Sequence, residues 1–395
     1  MQEIELNLDF SNTAIAFEDK SNEELKKMAT LFGLMNKEWL VNIGAKLGLP
    51  AVKYNLPFSQ SIVKKTIYPQ FVGGRTLLEC QNAIDRLKAY NILTVLDYGA
   101  EGKEVESDFN NTMNEIVRAI EFAGPNTSVP VVSTKITGLT KNIILEKLSA
   151  GKTLNSEEEY EYDSLLKRLD VICNKAKERS VSLFIDAEES WTQKAIDDLV
   201  EKMMERYNVS EPIIYTTAQL YRHDRLQYLK DIHQRSSKKG YILGVKLVRG
   251  AYLEKENKRA RKNNYPSPIH KSKTATDHDY NEAVRYCVKH FEEIASCNAS
   301  HNGLSNQLQA ELIHKMGIQK NHKHLNFCQL YGMSDHLTFN LAKAGYNVAK
   351  YVPYGPIKDV IPYLIRRSQE NTSVTGDMSR EYKMILDEME RRRMS

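Results

Sequence analysis

Metal and nucleotide signatures are missing from this 395-residue chain. No CxxC pair and no HExxH segment occurs, so the common zinc patterns have no ligands. His322-Lys-His324 is a two-ligand fragment, short of the three or four protein ligands that zinc takes. No GxGxxG follows a strand-like run and no Walker A loop is present, which leaves a Rossmann or P-loop nucleotide site unsupported. A Gly-x-Ser-x-Gly nucleophile elbow is also missing. The five cysteines are scattered and odd in number, and read as buried, reduced thiols of a cytosolic chain. No apolar run approaches the length that spans a bilayer. The acidic residues 1–12 have neither the basic start of a secretory signal nor the arginines of a transit peptide. The expectation is a cytoplasmic chain, at most peripheral at the inner face of a membrane. Net charge is +4, with the two signs mixed rather than clustered, which is unlike a nucleic-acid binder.

What is present is ample apolar content (41%) and a marked preference for tyrosine (21) over tryptophan (2), which suits polar pockets. Helical spacing of Leu25, Met28, Phe32, Met35 and Trp39 predicts a helix over 21–48, and prolines follow it. Residues 1–65 are therefore expected to form a helical arm, and 66–395 the main domain with a charged C-terminal tail. From residue 92 short β-rich runs alternate with longer amphipathic ones. The expected strands are Ile92–Leu96, Val129–Thr134, Val181–Ile185, Pro212–Thr217, Ile242–Val248, Ile294–Ala299, Leu325–Leu330 and Asn347–Val352. Helical patterns fall at 107–123, 190–207, 221–239, 277–293, 304–317, 335–345 and 356–371. Strands that alternate with helices in this way point to an α/β fold of the (β/α)8 barrel type, with a doubly wound sheet as the alternative. Two segments are long for such a barrel. In 140–180, Ser156-Glu-Glu-Glu159 opens a second helix; 249–276 is polar and basic.

Active sites of such barrels sit at the strand C-termini. Here those ends carry Asp97, Lys135, Asp186, Gln219, the run Lys246 to Tyr252, His301-Asn302, Gln329 and Tyr351. Singly, each has an ordinary reading: Lys135 as an exposed lysine, Asp186 as a helix cap, His301-Asn302 as a turn, and the basic run 249–273 as a solvated loop. Together they favour a polar pocket at one mouth. In the last helix, Tyr363, Arg366, Arg367 and Glu370 are spaced i, i+3, i+4 and i+7 and share one face. Two adjacent guanidinium groups there form a dock for a small planar anion such as a carboxylate, or a charged face in solvent.

Five segments, in this order, resemble the proline dehydrogenase family: Phe184-Ile-Asp-Ala-Glu-Glu189, Lys246-Leu-Val-Arg-Gly-Ala-Tyr252, Ala299-Ser-His-Asn302, Tyr351-Val-Pro-Tyr-Gly355, and Tyr363 with Arg366, Arg367, Glu370 and Asn371. Phe71-Val-Gly-Gly74 and Leu96-Asp-Tyr-Gly99 are similar to forms with a longer helical insertion. The resemblance covers about 70–395. It implies a distorted (β/α)8 barrel that binds FAD, oxidises L-proline to Δ1-pyrroline-5-carboxylate and passes electrons to a membrane quinone. A pyrroline-5-carboxylate dehydrogenase is the implied partner. Carried over residue by residue, Arg366 and Arg367 would pair with the substrate carboxylate, helped by Lys135. Asp186, Leu247, Tyr252, Tyr351 and Tyr363 would line the ring. Ala187, Gln219, Lys246, Val248, Arg249, Gly250, Ala251, Thr276, Ser300, His301 and Glu370 would hold FAD. Lys246 stands where many relatives have arginine, keeping the charge without the planar fork; Leu253 replaces a common tryptophan. A hydroxyproline dehydrogenase, or a barrel binding carboxylate or phosphate without flavin, is the alternative.

Overall fold

The computed structural model describes residues 8–37, 59–99, 104–361, 363–364 and 377–394. Eight strands are formed: β1 (Leu93–Tyr98), β2 (Val131–Thr134), β3 (Ser182–Ile185), β4 (Ile214–Gln219), β5 (Leu243–Val248), β6 (Ile294–Ala299), β7 (Leu325–Leu330) and β8 (Val348–Tyr354). They close into a barrel in chain order, which removes the doubly wound alternative. Pairing is parallel where registers are defined, from Val95 opposite Val131 on β1–β2 to Leu247 opposite Asn298 on β5–β6. β4 and β8 are buried along their whole length, as expected of strands covered on both faces.

The helices before β1 are α1 (Thr13–Ala16), α2 (Asn22–Met35), α3 (Ser59–Lys65), α4 (Tyr68–Phe71) and α5 (Leu77–Lys88). Between the strands run α6 (Glu106–Ala123), α7 (Asn142–Ser149), α8 (Ser156–Arg179), α9 (Ser190–Tyr207), α10 (Arg225–Lys239), α11 (Leu253–Lys262), α12 (Lys273–Lys289), α13 (Gly303–Lys315) and α14 (Asp335–Lys343), and α15 (Asp377–Met394) ends the chain. The long 140–180 segment holds α7 and α8. Asn155 starts α8 through a capping box with Glu158: the side-chain oxygen of each accepts from the other's backbone N–H at 2.9 Å. The helix expected over 21–48 is described as far as Met35, behind the Ser21–Glu24 capping box; residues 38–58 lie outside the described residues.

Internal packing divides the chain into two compact units, Met1–Thr94 with Cys328–Ser395, and Val95–Phe327. In the first, Phe17, Leu25, Phe32, Phe71, Val360 and Ile385 form one apolar cluster, with α15 against α2. The charged tail is thus a packed helix, its Arg392 donating to the carbonyls of Phe17 (2.8 Å) and Lys20 (2.7 Å). Gly73 and Gly74 run beside the end of β8. The Gly73 N–H reaches the Pro353 carbonyl at 2.9 Å, and a Cβ on Gly74 would stand 2.7 Å from Cβ of Glu79. The second unit contains β2 to β6 and their helices, and it holds most of the chemistry at the strand ends.

Candidate active site

The ends of β2, β3 and β5 bring three charges together. Lys246, on β5, donates its ammonium to Oδ1 of Asp186, one residue past β3. Asp186 Oδ1 also accepts from the Ser133 hydroxyl at 3.0 Å, and its Oδ2 lies 3.7 Å from Lys135 Nζ. The backbone dictates this meeting. Phe184 and Asp186 share a face of β3; Tyr215 pairs with Phe184 across β3–β4, and Thr217 with Lys246 across β4–β5. Lys246 therefore points to the same side as Asp186 and spans past β4, which is feasible across the interior of a barrel. Its ammonium also sits 5.5 Å from the Phe184 ring centre. The formal charges of Lys135, Asp186 and Lys246 sum to +1, and all three side chains are largely shielded from solvent. A small anion meets electrostatic attraction there.

Glu188, two residues on, ties the neighbouring loops together. Its buried carboxylate accepts from the backbone N–H of Thr137 at 3.0 Å and from the Thr137 hydroxyl. Its own N–H donates to Gln193 at 2.7 Å, and its carbonyl accepts from Gln219 Nε2 at 2.9 Å. Burial pushes the Glu188 carboxyl up to about 7, against the opposing pull of the two Thr137 donors. Gln193 continues to Asp197 (2.9 Å), which Arg225 grips with both arms at 2.6 and 2.9 Å. Gln219, 2% exposed, spends its amide N–H on Glu188, while its buried Oε1 has no hydrogen-bond partner among the described residues.

Beyond β5, Arg249 donates to Asp277 (2.7 Å), Ser300 (2.7 Å) and Ser305 (3.0 Å), with its guanidinium 4.3 Å from the Tyr280 ring centre. Gly250 has φ +138°, and a Cβ there would lie 2.4 Å from the Tyr221 ring. Tyr252 starts α11, a helix inside the segment expected to be an irregular basic loop. Its charges account for the difference. Glu254 and Glu256 lie in the first turn and Arg259, Arg261 and Lys262 in the last, the arrangement that complements a helix dipole. Lys255 pairs with Glu189, Arg259 with Glu146 and the Trp191 face, His270 with Asp279, and Lys273 with Asp277. Glu256, fully buried, accepts from both N–H and hydroxyl of Ser190 at 2.6 Å. Lys258 and Arg261, with Tyr265, line a cavity of about 980 Å³ beside α11.

The other expected site residues are placed as follows. Alternation puts Leu247, fully buried, on the strand face away from Lys246, while Val248 shares the Lys246 face. Ala187, Thr276 and Ser300 are buried; Ala251 and His301 are half-buried. Asn302 caps α13 through a 3.1 Å bond from the Ser305 N–H, which is the turn-closing reading. Tyr351 and Tyr363 are buried in the other unit. Arg366, Arg367 and Glu370 lie outside the described residues. His322 and His324 meet edge to face at 5.2 Å, but no third ligand joins them among the described residues.

A family model described as "Proline dehydrogenase" matches residues 80–380. This chain belongs to the proline dehydrogenase family. Among curated proteins it is 32% identical over 347 residues to the carbapenem antibiotics biosynthesis protein CarD of Pectobacterium carotovorum, covering 88% of this chain and 90% of that one. It is 30% identical to proline dehydrogenase 2, mitochondrial, of Arabidopsis thaliana (85% and 79% covered) and 33% identical to proline dehydrogenase 1, mitochondrial, of Drosophila melanogaster (60% and 36%). The chain thus spans nine-tenths of CarD, about four-fifths of the Arabidopsis protein and about a third of the Drosophila one. Among solved structures, proline utilization A from Bdellovibrio bacteriovorus matches 92% of this chain and 42% of its own length, with a TM-score of 0.75 at 20% identity, which is a likeness of fold. The closed eight-stranded barrel built here is the fold shared with that structure. Sequence reasoning passed over Glu188 and Tyr221, whose importance comes from contacts with distant segments. For α11, the acidic-to-basic charge order was the available signal.

Proposed function

We propose that this chain oxidises L-proline to Δ1-pyrroline-5-carboxylate with FAD as its cofactor. The observation that carries the reading is the cluster of Lys135, Asp186 and Lys246 at the strand ends of a chain in the proline dehydrogenase family. Gln219 supports the cofactor: a buried amide oxygen that meets no donor among the described residues suits the N–H or O–H groups of a flavin and its ribityl chain. Ala187, Lys246, Val248, Arg249, Gly250, Ala251, Thr276, Ser300, His301 and Glu370 are the further residues that would hold it. FAD, when bound, supplies the hydride acceptor.

The chain's own residues supply grip and orientation. Lys135, with Arg366 and Arg367, would pair with the substrate carboxylate, and a two-armed guanidinium contact fixes which ring carbon is presented. Asp186 holds the Lys135 and Lys246 ammonium groups in place, so the anion meets oriented charges rather than mobile ones. Tyr252, Tyr351 and Tyr363 would wall the apolar ring; Leu247, expected there from the sequence, lies on the β5 face away from Lys246 and would back that wall rather than touch the ring. A membrane quinone at a peripheral contact would serve as the electron acceptor, and a pyrroline-5-carboxylate dehydrogenase could consume the product. Among the described residues no helix is long and apolar enough to cross a membrane, so the proposed contact is with the bilayer surface.

The test is the absorbance spectrum of the purified chain before and after anaerobic L-proline. A flavin band that bleaches on proline addition is expected. A colourless protein, or a band that proline leaves unchanged, overturns the reading.

A further inference from the structure

At the opposite end of the barrel strands from Lys246 and Asp186, three potential metal ligands converge. His233 comes from α10, His290 from the end of α12, and Glu293 from the turn that leads into β6. One donor atom from each lies within 4.8 Å of the others. The turn is itself fixed: the N–H groups of Glu293 and Ile294 both donate to the His290 carbonyl, at 3.1 and 2.9 Å. His290 and Glu293 are thereby held on one side while α10 presents His233 from the other. β6 separates this group from Ser300, and a strand of that length spans roughly 20 Å.

The surroundings are those of an ordered ligand set. The Nδ1 atom of His233 hydrogen-bonds the Tyr286 hydroxyl at 2.8 Å, which sets the ring's orientation and leaves Nε2 facing Oε2 of Glu293 at 3.3 Å. That separation is close to the edge of a tetrahedron with bonds of about 2.0–2.1 Å. Ser237, one turn along α10 from His233, donates to the same Glu293 oxygen at 2.9 Å. Outer contacts of this kind orient ligands in metal sites. His233 is buried, whereas Glu293 is exposed, so an ion has a path in from solvent.

The facing Nε2 of His233 and Oε2 of Glu293 can share either a ring proton or a metal cation. A proton satisfies the pair His233–Glu293 by itself. It leaves the donor atoms of His290 out of the pair, although the His290 ring packs 4.7 Å from Tyr286 and 5.0 Å from His233. A divalent ion uses all three groups. We propose that His233, His290 and Glu293 bind a divalent transition-metal ion of the zinc type, with solvent in the fourth position, and that the ion staples α10, α12 and the start of β6. The preference for zinc-type ions follows from two imidazoles and one carboxylate.

The test uses the full chain and zinc alone. Equilibrium dialysis with metal analysis is expected to give one zinc per chain that is lost, by at least about 100-fold in affinity, in His290→Ala. His290 ends its helix and is half-buried, so this variant keeps the fold, which circular dichroism verifies. Glu293→Gln is expected to weaken binding likewise, and His322→Ala to leave it unchanged. Cobalt in place of zinc should show the absorption of a tetrahedral site in the parent and not in His290→Ala. No zinc bound by the parent chain, or binding that His290→Ala leaves intact, overturns the proposal.

Discussion

Lys246 and Asp186 stand 60 residues apart in sequence, and the ammonium of the first donates to the carboxylate of the second across the mouth formed by β3, β4 and β5. Neither side chain is more than 14% exposed, so each charge relies on the other for much of its solvation. Lys246→Met leaves Asp186 with the more distant Lys135 and should cost about 3 kcal/mol of stability. Urea unfolding measures the loss, and adding Asp186→Asn should recover part of it. A cost below about 0.5 kcal/mol, as for an exposed pair, would show that the contact contributes little.

Glu188 makes stability depend on pH. Its carboxyl titrates near 7 in the fold against about 4.5 when solvated. Between those values the folded chain holds a proton that the unfolded chain has lost. The stabilisation is therefore complete below about pH 4.5 and disappears as pH rises through about 7, a change on the order of 3 kcal/mol. Glu188→Gln cannot ionise. Its urea midpoint should vary less between about pH 5 and about pH 8 than that of the parent, and equal slopes would remove Glu188 as the cause.

Gly250→Ala tests the backbone after β5. The added methyl meets a φ of +138° and the Tyr221 ring together. A loss of about 2–3 kcal/mol is expected, read as a lower thermal midpoint, together with reduced flavin content. Tyr221→Ala added to Gly250→Ala should relieve the clash but not the backbone strain. A double variant no more stable than the single one would place the whole cost in the backbone.

Arg366→Ala and Arg367→Ala test the carboxylate grip. Each should raise KM for proline by about 10–100-fold while flavin stays bound, since a charged hydrogen bond is worth about 1.5–3 kcal/mol. Steady-state kinetics with flavin quantified alongside gives the answer, and unchanged KM in both variants would end the clamp hypothesis.

Discrimination between proline and 4-hydroxyproline should depend on Tyr351. The residue is buried, so its ring is held in place, and in the proposed pocket it would crowd the substrate ring edge. Tyr351→Phe should raise kcat/KM for 4-hydroxyproline relative to proline. An unchanged ratio would put specificity elsewhere.

Much of this molecule is local, and what is local was legible. All eight strands fall within a few residues of their expected positions, because burial on one or both faces writes its period into adjacent residues. The Glu158 capping box is an equally short-range device. Barrel closure is not local, since it depends on strand registers that periodicity does not encode. Nor is the helix α11 where a loop was expected: its Lys255, Glu256 and Arg259 are held by Glu189, Ser190 and Glu146, far along the chain. The same holds for the tail helix against α2, for Gly250 beneath Tyr221, and for His233 opposite Glu293. Sequence alone determined which residues could carry charge to the strand ends. Tertiary structure alone decided which of those charges meet, because an ion pair or a ligand set is a matter of distance, and distance between remote residues exists only once the chain is folded.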